Sequence, residues 1–134
     1  MAKNFELESL IGSEFLSGSP VNNTFKISTD GKDRFFSVEC YAPMPKGDIF
    51  SFAHCYNVML KNDTDKTIAD VIYDGEVDES CSSTNVTFVN AKGEVLYSIF
   101  AYEGRHTSDV VKHYGKVWVK EISGTKVVGV HELV

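Results

Sequence analysis

The feature that most narrows the fold is a two-residue alternation of apolar and polar side chains, cut at short intervals by turn residues. That period places every second side chain on one face of an extended strand; a helix needs a period near 3.6. Residues 25–29 alternate into Asp30-Gly31, a pair that tolerates the positive φ of a tight hairpin. The chain returns through Phe36, Val38, Cys40 and Ala42 until Pro43 and Pro45, which have no amide hydrogen to give a ladder. Residues 50–60 form the longest candidate strand. Phe50, Phe52, His54, Tyr56, Val58 and Leu60 share one of its faces, and Ser51, Ala53, Cys55 and Asn57 share the other.

The same pattern continues to the carboxyl terminus. A polar loop at 61–66 leads to a strand over 67–73, and residues 76–84 read as a short strand plus a loop. Residues 85–89 and 95–102 face each other across a turn at 90–93, and residues 116–122 and 126–133 across Ser123-Gly124. Between these hairpins, the polar stretch 103–113 carries one Asp-Val-Val helical turn. Near the amino terminus Leu7, Leu10, Ile11 and Phe15 fall on one helical face that Gly12 interrupts, so a short helix and a strand fit equally.

The expected fold is therefore a single all-β domain over residues 1–134, with about eight antiparallel strands in meander order. Such strands close as a small barrel or stack as a β-sandwich. Closure removes exposed edges and leaves an interior that side chains fill or that holds one small ligand. The segment Leu10-Ile11-Gly12-Ser13-Glu14-Phe15 resembles the Gly-x-x-aromatic opening of calycin-type, lipocalin-like barrels, over those six residues.

Charge and composition narrow the partners. Thirteen basic against nineteen acidic residues give a net charge of −6, with no basic run, which excludes the phosphate-neutralising face that nucleic acid requires. No apolar run approaches the ~20 residues that span a bilayer, so no membrane partner is expected. Cys40, Cys55 and Cys81 match no zinc or redox spacing and read as reduced thiols of a cytoplasmic protein. Sequons at Asn22, Asn62 and Asn85 leave secretion open. No metal or cofactor motif is present: His106 and His113, seven residues apart, fit no ligand spacing.

His54 stands out as a polar group within an aromatic strand face, suited to a general acid or base or to a ligand anchor. Phe52, Tyr56, Tyr102 and His131 are expected to line an aromatic interior with it. Arg105, one of two arginines beside Arg34, is expected at the barrel mouth. Trp118 alternates with lysines on an outward face and suggests a homodimer contact. Cys40 reads as a small core residue and Cys81 as the exposed thiol. The leading functional expectation is a barrel that binds a small apolar or aromatic molecule, open to isomerase- or cyclase-type acid–base chemistry at His54. The competing expectation is a non-enzymatic interaction or self-assembly module with a fully packed core.

Overall fold

The computed structural model describes residues 2–41, 51–57, 60–77, 81–107, 112–114 and 116–133. Among them every regular element is extended except one 3-10 turn, Leu7–Leu10. The first strands are β1 (Lys3–Asn4), β2 (Glu14–Ser19), β3 (Thr24–Thr29), β4 (Lys32–Tyr41) and β5 (Ser51–Asn57). After them come β6 (Asp70–Val77), β7 (Cys81–Val89), β8 (Val95–Thr107), β9 (Lys112–Tyr114), β10 (Lys116–Ser123) and β11 (Lys126–Glu132).

The protein is all-β, in two sheets. One is ordered β1-β11-β10-β4-β3-β2 and the other β5-β8-β7-β6, with β9 alongside β8. Hairpins pair β2 with β3, β3 with β4, β6 with β7, β7 with β8 and β10 with β11, all antiparallel. At the β3–β4 turn Asp30 and Gly31 take φ of 52° and 79°, as the alternation into Asp-Gly predicts. Elsewhere the order departs from a meander. β4 pairs with β10, β5 with β8, and β1 runs parallel to β11. Turn chemistry names the partner of a hairpin strand, whereas distant pairings depend on the shared core.

Two local expectations also change. Residues 7–15 are neither helix nor continuous strand: the single turn at Leu7–Leu10 buries both leucines, and β2 then starts at Glu14. Residues 76–84 contribute to two hairpin arms, β6 and β7, with 78–80 outside the described residues. The helical turn expected at Asp-Val-Val, residues 109–111, lies outside the described residues; β8 runs on to Thr107 and β9 opens at Lys112.

The two sheets bury their facing sides against each other. Phe15, Phe25, Ile27, Phe36, Val117 and Val119 come from the six-stranded sheet; Cys55, Val71, Val86, Phe88, Tyr97 and Ile99 come from the other. The rings meet directly: Phe25 stacks on Phe36 at 4.9 Å between centroids, and Phe15 on Tyr97 at 5.1 Å. Phe25 also reaches Tyr97 at 5.3 Å and Phe88 at 5.7 Å, which ties both sheets into one cluster. Each fully buried side chain of this size contributes roughly 1.5–3 kcal/mol by leaving water.

Two seams hold the sheet edges. At one, residues 12–15 and 66–69 exchange backbone bonds: Phe15 N–H to Lys66 O, Ile68 N–H to Ser13 O and Gly12 N–H to Ile68 O, each 2.8 Å. At the other, a side chain stands in for a ladder, as Asn23 Nδ2 donates to Ala53 O at 3.0 Å. The amino-terminal segment covers β11: Phe5 lies against Gly129, where an added Cβ would come within 3.0 Å of the ring.

Candidate functional site

Strand β5 settles which of its two faces is interior. Cys55 is fully buried and packs in the core, while His54 is exposed and Tyr56 is 48% exposed. Register then places the neighbouring candidates on the same side. His54 stands opposite Phe100 on the outward face of the five-stranded sheet, and the Phe52 backbone pairs with that of Tyr102. The structure therefore brings His54, Tyr56 and Tyr102 to one surface, with the His54 ring edge-on to Tyr56 at 4.5 Å. That surface is not the interior. Both faces of β5 carry apolar atoms, and the inward one presents the small Ala53 and Cys55 to the core.

The remaining expected site residues separate. His131 faces inward on β11, opposite buried Val119, and its Nδ1 lies 2.8 Å from the Phe5 carbonyl. It donates there and anchors the amino-terminal segment, with Glu6 4.0 Å away. It does not share a face with His54. The Phe52 and Arg105 side chains lie outside the described residues, as do those of His106, His113 and Cys81; only their backbones are placed. Cys40, expected in the core, is exposed near the end of β4. The buried thiol is Cys55, pushed up from its ordinary pKa by burial against the opposing pull of a hydrogen bond with Tyr97.

Two polar arrangements at the core went unnoticed in the sequence. Tyr97 is fully buried, bonds Cys55 and donates to Thr24 O at 3.3 Å; burial drives its hydroxyl far above the ordinary tyrosine pKa. Arg34 sits on the inner face of β4 and grips Glu121 with two bonds, Nε to Oε2 at 2.9 Å and Nη2 to Oε1 at 2.7 Å. Its guanidinium also lies 5.4 Å from the Phe36 ring centroid and donates to Thr29 Oγ1 at 3.2 Å. The only sequence signal was an arginine on the same parity as Phe36 and Val38. Such a bidentate pair is satisfied within the fold and leaves little capacity for a ligand.

The outward face of the six-stranded sheet carries a different feature, a groove of about 460 Å³. Its apolar wall is Phe35, 52% exposed, with Ile122 directly across from it on β10. Lys26 faces Phe35 from β3, its Nζ 5.8 Å from the ring centroid. Ser17, Ser19 and Thr24 supply hydroxyls on the same side, by their register with Lys26 and with each other. The local reason is parity. On β4 the even-numbered Arg34, Phe36 and Val38 point inward, so Phe35 and Ser37 must point out. A second depression, further along the same face, is walled by Trp118 and Lys120, with Lys120 Nζ 5.3 Å from the Trp118 ring and 2.7 Å from Glu39.

Among the described residues no group of three or more His, Cys, Asp or Glu side chains is arranged to hold a metal ion. No described helix is long and apolar enough to cross a membrane. No protein-family model, curated protein or solved structure matches this chain.

Proposed function

We propose that the chain binds a small apolar or aromatic molecule in the groove on the outward face of its six-stranded sheet. What carries this reading is Phe35. An aromatic side chain half open to water, set against Ile122 in a concavity rimmed by Lys26 and serine and threonine hydroxyls, offers a stacking surface with polar groups to orient a small molecule. The core offers the ligand less: Phe15, Phe25, Phe36, Phe88 and Tyr97 already pack on one another there. We read the two sheets as a flattened barrel, on the support of the seams at residues 12–15 with 66–69 and at Asn23 with Ala53. In this reading the site lies on the wall of the barrel.

The neutral dye N-phenyl-1-naphthylamine tests the proposal, because its fluorescence rises on entering an apolar site. Saturable, one-to-one binding is expected, weakened about tenfold by Phe35→Ala, the order expected for losing one aromatic stacking partner. Tyr56→Ala, on the opposite sheet, serves as the control and should leave binding unchanged. Loss of binding in Tyr56→Ala alone would move the site to the outward face of the five-stranded sheet and overturn the reading. Absence of dye binding, together with a dimer in sedimentation that dissociates on Phe35→Ala, would assign the groove to a second copy of the chain.

A further inference from the structure

We infer that the ligand of this groove is an anion, a flat apolar body carrying one carboxylate, sulfonate or phosphate that Lys26 receives; this rests on the groove being a binding site. The geometry places a cation beside the stacking surface. Lys26 and Phe35 are direct cross-strand partners, with Nζ 5.8 Å from the ring centroid. The carboxylate that Lys26 meets, Asp33, is 4.0 Å away and half exposed, at the outer limit of an ion pair. Its charge is weakly neutralised. Lys120 on the same face differs, since Glu39 holds it at 2.7 Å.

The surroundings suit an anion in two further respects. Ser17, Ser19 and Thr24 flank Lys26 through the β2–β3 register and can donate hydroxyl hydrogens to a charged oxygen. Among the described residues that line the groove none is a carboxylate, Asp33 lying beyond Lys26 at its edge. A molecule lying on Phe35 and Ile122 would thus set its charged end against Nζ and those hydroxyls, as a charge-assisted bond requires. The net charge of −6 repels anions at long range, so any preference for them has to come from contact with Lys26 itself.

Two dyes with one ring system separate the contributions. 1-Anilinonaphthalene-8-sulfonate has the anilinonaphthalene body of N-phenyl-1-naphthylamine plus a sulfonate. Lys26→Gln should weaken the sulfonate dye about fivefold, the scale of one partly exposed ion pair, and leave the neutral dye within about twofold. Lys26→Arg should retain most of the sulfonate binding. Phe35→Ala should weaken both dyes. If Lys26→Gln changes both equally or neither, while Phe35→Ala still weakens both, the anion inference is wrong and the groove stands. If neither dye responds to Phe35→Ala, the groove itself is not the site, and the inference falls with it.

Discussion

Phe35 and Phe36 are neighbours in β4 with the same side chain and opposite fates. Phe36 is 1% exposed, stacked on Phe25 and covered by the Arg34 guanidinium; Phe35 is 52% exposed beside Lys26 and Ile122. Nothing in their chemistry distinguishes them. The difference comes from the pleat, which sends adjacent side chains to opposite faces of the sheet. One ring serves cohesion and the other is left for recognition, so a change at either position should affect one property and spare the other.

The largest expected effect is on the inner ring. Phe36→Ala should lower unfolding free energy by about 3–5 kcal/mol in urea titrations, through lost burial and a cavity that stacked Phe25 cannot fill. A loss below 1 kcal/mol would mean that the two rings are not held differently. Next comes the pair that lies over this ring. Arg34→Met and Glu121→Gln should each cost about 1–2 kcal/mol, less than a fully buried pair because both side chains keep about a fifth of their surface in water. The double variant Arg34→Met/Glu121→Gln should cost less than the sum of the two single changes, because no charge is then left unpartnered.

Smaller and confined to high pH is the effect at Tyr97. Its folded pKa is raised, so the fold favours the protonated hydroxyl; that contribution is complete below the unfolded pKa near 10 and is lost as pH rises toward the folded value. In an absorbance titration of the folded protein, the ionisation of Tyr97 and Tyr73 should be displaced well above that of a free tyrosine. A single ordinary step for all six tyrosines would show that Tyr97 is not sealed in the core. The smallest change in stability belongs to Phe35→Ala, within about 0.5 kcal/mol of the parent. Combined with its expected loss of dye binding, that result would complete the contrast with Phe36.

The sequence made the hairpins legible and left the faces ambiguous. Asp30-Gly31, the turn after Val89 and Ser123-Gly124 all connect paired strands, because each turn residue acts on the few residues beside it. In β4, polar Ser37 and Glu39 against Phe36 and Val38 marked the inner side correctly, yet Cys40, at the strand's end, is exposed where the alternation implied burial. In β5 the alternation was between two sets that both tolerate burial, and the bulkier set, His54 and Tyr56, turned out to face solvent. Size misled there. The buried Ile99 and Ala101 of β8 stand opposite a thiol and a methyl group, and the sequence of β5 alone holds no record of its partners. The groove was illegible for a related reason: Ser17, Lys26, Phe35 and Ile122 come from four strands, and only the non-sequential β4–β10 pairing brings the last of them in.

The parallel pairing of β1 with β11 also bears on how the chain is made. Lys3 cannot meet Gly129, nor Phe5 reach its seat there, until about 125 further residues have been synthesised. During translation Phe5 thus emerges early and waits, apolar and without its final cover. Ribosome-bound fragments that stop before Lys126 should be the species most prone to capture by chaperones, and closure over β11 should be the late step in folding.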